Sequence, residues 1–402
     1  MDQSSFLNII LYILLFELII YMISLNSRGK KILERIGLDA SIFMILVRRK
    51  SALDILDRVR GSRKTDILMR IGVPIMFFLM ILFYIAVYLI GVSYIASFLG
   101  SLLRPGGEVV GPPPIAPIIP GLTIGGVDLI YLLIALGLSI AFHELGHAIA
   151  SKIYGVSLKS YGAGIFLIMP LAFVEVDENS MMRDRRIASR ILSAGVLFNT
   201  ILFAIAFASI MLITWISPFA GVIQGAVIAY VEPGSPAYNA GIQPGLLITY
   251  VNGSPVYSLD RFLPYRSVIA SDRDIILNIT GVYPNGSIFS TLVFKPSNLS
   301  RIGVVFDGVS IPLAGFFVGA LIIPTENGYI RLWALESILR FMVWMSILNL
   351  SLAVINAAPL YITDGGKFLA LYLSNKISNA VQLVTVAGFA AIFIVSLVFY
   401  LS

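Results

Sequence analysis

The sequence predicts a polytopic α-helical membrane protein of about six transmembrane helices with a β-rich extracytoplasmic domain. Three observations predict it. Only 12% of the 402 residues are charged and 58% are hydrophobic, with a mean hydropathy of +0.92, whereas soluble domains carry about 25% charged residues. Apolar stretches long enough to cross a bilayer, roughly 20 residues each, recur at 6–25, 71–98, 126–152, 188–215, 333–356 and 380–401. Between the fourth and fifth of them, 219–308 is polar, turn-rich and equal in Lys/Arg and Asp/Glu.

The elements follow in order. The first apolar run lacks a basic leader and reads as a span, not a cleavable signal. Segment 26–70 holds twelve Lys/Arg against five Asp/Glu, which places it in the cytoplasm under the positive-inside rule. Flanked by two spans, that charge reads as an interfacial feature and not as a nucleic-acid patch, with apolar Ile42–Val47 expected to lie along the membrane surface. The N-terminus and the Pro-rich connector 99–124 are then outside. The third span runs inward, and Lys159, Arg183, Arg185 and Arg186 agree with a cytoplasmic 153–187. The fourth span returns outward and leaves 219–308 outside. The short run 309–324, broken by Pro and Gly, is expected to be re-entrant, interfacial or packed against the bundle. The expected divisions are 1–70, 71–124, 125–217, 218–308 and 309–402.

The chain has no cysteine, which excludes disulfides, thiolate catalysis and Cys-ligated metals. Its only two histidines, His143 and His147, stand four apart in "FHELGHAIA". On a helix both imidazoles leave one face. Glu144, one residue round from the first, suits a general base acting on water at a bound zinc. Chance placement would give this pattern about once in ten thousand chains, and intramembrane ionisable groups are costly and by default functional.

Catalytic zinc takes three protein ligands, so the third must be a carboxylate. Asp128 begins the third span, about five helical turns from His147. Glu17 has no companion motif and reads as a structural hydrogen-bonding group. Glu175 stays open on spacing alone. Asp364 is favoured: it lies in "NAAPLYITDGGKFL", where Asn356, Pro359 and Gly365-Gly366 break a span at the depth of His143. Such breaks are tolerated only where protein or water satisfies the freed backbone.

HELGH in one span, Asn-x-x-Pro followed by Asp-Gly-Gly in another, and a PDZ-like insert between them resemble the site-2 protease family over roughly 125–375. The resemblance implies an intramembrane zinc metalloprotease that cuts transmembrane segments of membrane-anchored proteins, with a three-helix catalytic core. His143, His147 and Asp364 match its ligands to one Zn²⁺ and Glu144 its catalytic glutamate. "SAGVLFNTILF" resembles the family's AGPxxN-type helix start, with Val196 where Pro is frequent, and brings Asn199 near the active site. Asn356 falls in the NxxPxxxxDG position. Either asparagine is expected to donate to the oxyanion or hold substrate backbone. "GAGIFLIMPLAFVEVDE" resembles the β insertion after the catalytic helix. "GAVIAYVEPGSPAYNAGIQPGLLITYVNGSPV" resembles a bacterial-type PDZ domain, with Leu246 where Asp is usual, and implies a peptide or substrate ectodomain as a partner beside the bilayer. A transporter or channel, and a catalytically silent scaffold, are the rival readings; no inverted repeat is evident, and the motif residues are intact.

Four asparagines of 219–308, Asn252, Asn278, Asn285 and Asn298, lie in N-x-[ST] glycosylation sequons, and elsewhere only Asn349 does. They match the outside assignment of that segment.

Overall fold

In the computed structural model, residues 3–49, 63–102, 124, 127–311, 316–326 and 328–401 are described. The Pro-rich stretch assigned outside and part of the basic loop, 50–62, fall outside these residues. Among the described residues, five helical stretches are long and apolar enough to cross a membrane: Lys64–Gly100, Asp128–Ile153, Arg185–Ala220, Trp333–Ala357 and Asn375–Val398. A sixth is a pair bent by 112°, Leu11–Leu25 with Ser27–Arg35. The chain forms two compact units, Met1–Ile205 with Trp344–Ser402, and Ala206–Val343.

The first unit begins with α1 (Gln3–Leu25) and α2 (Ser27–Arg35), separated by Asn26, whose side chain caps α2 by accepting from the Arg28 amide at 2.9 Å. Strands β1 (Leu38–Ser41) and β2 (Met44–Arg49) form a hairpin, and β2 pairs antiparallel with β3 (Leu158–Phe166). With β4 (Met169–Val176) the sheet runs β1-β2-β3-β4. The apolar Ile42–Val47 is therefore hairpin turn and strand. Its run of Met44, Ile45, Leu46 and Val47 satisfies the otherwise unpaired edge of β3.

The second span comprises α3 (Arg63–Phe83), a π-helical turn at Tyr84–Leu89, and α4 (Ile90–Leu102). The third is α5 (Val127–Ile153). After β4 come the short α6 (Glu178–Met181) and the long α7 (Arg185–Ile216). Small residues bring these helices together. A β-carbon on Gly146 of α5 would lie 2.7 Å from the Ala194 carbonyl oxygen of α7, and one on Gly72 of α3 would lie 2.9 Å from Ser193 Oγ. Met69, Met76, Ile191, Leu192, Ala353 and Phe368 belong to the core between the spans.

The second unit is β-rich. Its strands are β5 (Ile223–Gly225) and β6 (Ile228–Val231), then, after α8 (Pro236–Asn239), β7 (Leu247–Val251) and β8 (Ser254–Pro255). Two short helices, α9 (Leu259–Phe262) and α10 (Tyr265–Ile269), precede β9 (Ile275–Val282), β10 (Ile288–Lys295) and β11 (Val304–Phe306). Strands β12 (Gly308–Ile311), β13 (Phe316–Thr325) and β14 (Gly328–Arg331) complete it. The sheets run β10-β9-β7-β8, β11-β6 and β12-β13-β14, with β5 on β13. The run 309–324 is thus strand wherever it is described, not a re-entrant segment. Val318, Ala320, Leu321 and Ile322 are all buried, so both faces of β13 are covered. A strand covered on both faces is apolar throughout, and by composition it imitates a short span.

The chain then returns to the first unit along α11 (Trp333–Ala357), α12 (Asp364–Ala370) and α13 (Asn375–Leu401). Asn349 of α11 donates to Ser139 Oγ of α5 at 2.8 Å, a buried polar tie between two spans. Tyr88 donates to the Val384 and Thr385 carbonyls of α13, each at 2.8 Å.

Candidate metal centre

The α-helical period of α5 sets His143 and His147 one turn apart on one face. Both rings are buried. Each is gripped at its inner nitrogen by α7: His147 Nδ1 donates to the Ile191 carbonyl at 2.8 Å, and the Asn199 carboxamide lies 3.1 Å from His143 Nδ1. A proton held on His147 Nδ1 by the Ile191 carbonyl leaves the lone pair of that ring's Nε2 free on the other side. The two Nε2 atoms are 3.2 Å apart, and Asp364 Oδ2 sits 3.1 Å from the first and 3.0 Å from the second.

Asp364 reaches this point because the chain breaks after Ala357. Thr363, not Asp364, caps α12, its hydroxyl accepting from the Gly366 amide at 3.3 Å. Asp364 is therefore left free at the first helical position. Gly365 and Gly366 let the turn close, since a β-carbon on either would strike the carbonyl oxygens of Ala357 or Leu360.

Two histidines and one aspartate thus converge as a group positioned to hold one metal ion. A tetrahedral zinc with ligand distances of about 2.0–2.1 Å needs donors about 3.3–3.4 Å apart, close to the 3.0–3.2 Å observed here. Gly195 supplies a second sign of fit. A β-carbon there would come within 2.5–2.6 Å of both Nε2 atoms, so α7 leaves room beside the donors that any larger residue would fill.

The site opens into a cavity of about 730 Å³. Glu144 and Asn356 line it together with the three donors, as do Phe173, Val174 and Glu175 from β4. Glu144 Oε2 accepts from the Val174 amide at 2.7 Å. On the rim, Lys367 and Glu178 pair at 2.6 Å, and the lysine's hydrogen bond holds that carboxyl below its ordinary range.

Residues 131–400, about two thirds of the chain, match Peptidase family M50. The chain belongs to peptidase family M50. It is 27% identical to an uncharacterized protein of Methanocaldococcus jannaschii, over 58% of this chain and 54% of that one. It is 25% identical to a Clostridium perfringens protein named for a zinc metalloprotease, over 60% of this chain and 85% of that one. An Arabidopsis thaliana protein named as a membrane-bound transcription factor site-2 protease homolog is 26% identical over 39% of this chain and 31% of its own length. The chain therefore spans about half of the archaeal relative and about a third of the plant one. Within this M50 chain the β1–β2 hairpin lies before the matched region, yet it brings Arg48 to the cavity wall, stacked over Phe173 at 5.1 Å.

The remaining carboxylates stand apart from the three donors. Glu175 accepts from Ser160 at 2.7 Å and pairs with Arg48 at 3.5 Å on the cavity wall. Asp128 accepts from the Trp344 indole at 3.4 Å. Glu17 is buried in α1 with neither oxygen bonded among the described residues. Asn199 does not line the cavity; it is fully buried behind His143. This corrects the expectation that it donates to substrate. Sequence reasoning also missed Gly195 and the Ile191 carbonyl. Their signal was the spacing 191, 195, 199, which puts all three on one face of α7.

Proposed function

We propose that this M50 protein is an intramembrane zinc metalloendopeptidase that hydrolyses peptide bonds within or near the transmembrane segments of membrane-anchored proteins. One observation carries the reading: two imidazoles and a carboxylate converge within 3.2 Å of one another, with Glu144 on the wall of the same cavity. His143, His147 and Asp364 would hold the zinc. When bound, zinc supplies Lewis acidity, which lowers the pKa of water towards about 7 and polarises a carbonyl.

The other steps belong to the chain's own residues. Glu144, aimed by the Val174 amide, takes a proton from the attacking water and returns it to the leaving nitrogen. Asn356, on the cavity wall, donates to the substrate backbone. A helical peptide bond is shielded, so the substrate span unwinds, and its extended backbone pairs with the outward edge of β4 by strand addition. Val174 directs its amide away from β3, and Ala172, two residues before it, shares that edge.

The PDZ-like reading of 218–308 belongs to the same proposal. Its support is the β6–α8–β7 order, Ser235 capping α8, and positive φ at Gly234, Gly241, Gly245 and Gly253. Leu246, standing in the usual Asp position, is fully buried in that unit's core. The N-terminus and this segment face outside, and the metal site lies in the cytoplasmic half of the membrane.

Glu144→Gln tests the reading. Purified wild-type protein should cleave members of a panel of single-span substrates and lose that activity with a zinc chelator. The variant should retain zinc and lose at least about a thousandfold in rate, in the range expected for a principal proton-transfer group. Undiminished cleavage by the variant would overturn the assignment, whereas a transporter or scaffold would be indifferent to the change.

A further inference from the structure

We infer that the β-rich unit is an N-glycosylation domain, with Asn278 and Asn285 as its modified residues. The sequons alone do not single these residues out; the use each asparagine makes of its carboxamide does. In that unit Asn252, Asn278, Asn285 and Asn298 are all exposed. Among the described residues, none of their Nδ2 groups donates a hydrogen bond to the protein. Asn239, an asparagine of the unit that lies outside any sequon, donates its Nδ2 to the Gly234 carbonyl at 3.4 Å. Asn349, the sequon asparagine in a span, is fully buried and spends its Nδ2 on Ser139 and on the Met345 carbonyl, each at 2.8 Å. Exposure and a free nucleophilic nitrogen therefore coincide with the sequons only in this unit.

Two of the four stand out. Asn285 occupies the β9–β10 connection, where its Oδ1 accepts from the Ser287 amide at 3.1 Å and from the Ser287 hydroxyl at 2.8 Å. The sequon hydroxyl thus engages the carboxamide oxygen, and Nδ2 has no protein partner. Asn278 lies on the open face of β9, directly across from Leu292 of β10. That face carries Ile276, Leu292 and Phe294, which are 62%, 64% and 55% exposed, and β10 is the last strand of its sheet. Apolar residues beside an unpaired edge invite strand-to-strand association. A hydrated oligosaccharide on Asn278 would cover that row and block the edge. By contrast, Asn252 sits in a turn at φ +50° with its Oδ1 accepting from the Asn278 amide, a contact that the fold itself uses.

The donor implied is a polyprenol-linked oligosaccharide, activated through phosphate or diphosphate and delivered by a transferase. The asparagine Nδ2 forms a bond to the anomeric carbon as that carbon's bond to phosphate oxygen breaks. The polyprenol phosphate or diphosphate leaves, and the amide releases one proton. Such transfer places the unit on the outer or luminal side of its membrane.

The test is mass spectrometry of the full-length protein purified in detergent from the cells that encode it. Peptides containing Asn278 and Asn285 should carry sugar mass, and those containing Asn239 and Asn349 should be bare. Asn278→Gln and Ser287→Ala should each remove one glycan from the intact mass. Both should keep the metal content unchanged. Bare peptides at both Asn278 and Asn285 would overturn the inference, as would intact masses that neither substitution shifts beyond the residue change itself.

Discussion

Gly195 limits the space at the candidate metal centre, since a β-carbon there would crowd both imidazoles. Its missing side chain is what lets α7 approach both imidazoles, and a methyl group would compete with the ion for the same space. Gly195→Ala should therefore lower bound zinc at least tenfold while leaving the helical circular dichroism unchanged, since alanine favours the helix by up to about 1 kcal/mol. Asn199 acts from behind His143. As placed, its Nδ2 faces the ring while its Oδ1 is buried without a partner among the described residues. Turning the amide over lets Oδ1 accept from Nδ1–H, the tautomer that frees Nε2 for a metal. Asn199→Ala should weaken zinc binding about 10–100-fold, and Asn199→Asp should restore it, as measured by competition with a chromogenic chelator. The histidine pair was legible in the sequence because helical spacing alone puts both rings on one face. Gly195 was not, because a glycine in a span has many uses and only the partner helix reveals which one applies.

At the scale of elements, β4 joins the sheet to the chemistry. Its inner edge pairs with β3, and its outer edge begins at Pro170, where proline costs no ladder hydrogen bond. Pro170 packs along α5, with a β-carbon on Gly137 lying 3.3 Å from it. Ala172→Pro removes the next outward amide without touching the pairing to β3 or the Val174 contact to Glu144. Cleavage of single-span substrates should fall at least tenfold with zinc content unchanged, and an unchanged rate would rule out strand addition at this edge. The long helices were legible because twenty apolar residues have few alternatives. The shorter apolar runs told less. Met44–Val47 and Val318–Ile322 are strands, each with one partner strand far away in sequence, β3 for the first and β5 for the second. Hydropathy records that such residues avoid water, not which partner covers them.

Across the whole molecule, the distribution of charge carries the topology. Twelve Lys/Arg against five Asp/Glu in 26–70 contrast with five of each in 219–308, and the orientation proposed above, with the first in the cytoplasm, rests on that contrast under the positive-inside rule. The β2–β3 pairing holds the basic N-terminal hairpin in one sheet with the β insertion of 153–187. If one of these segments is cytoplasmic, both are. The absence of any native cysteine makes the consequence simple to measure with single-cysteine variants at exposed positions. Arg35→Cys and Arg183→Cys each remove one charge from a basic segment, too little to invert the asymmetry, and Ser297→Cys leaves the charge of its segment unchanged. A membrane-impermeant maleimide added to intact cells should label Ser297→Cys at once and reach the other two only after permeabilisation. Labelling of Arg35→Cys and Arg183→Cys on opposite sides would be incompatible with the shared sheet, whereas labelling of all three in the reverse sense would keep the sheet and invert the membrane assignment.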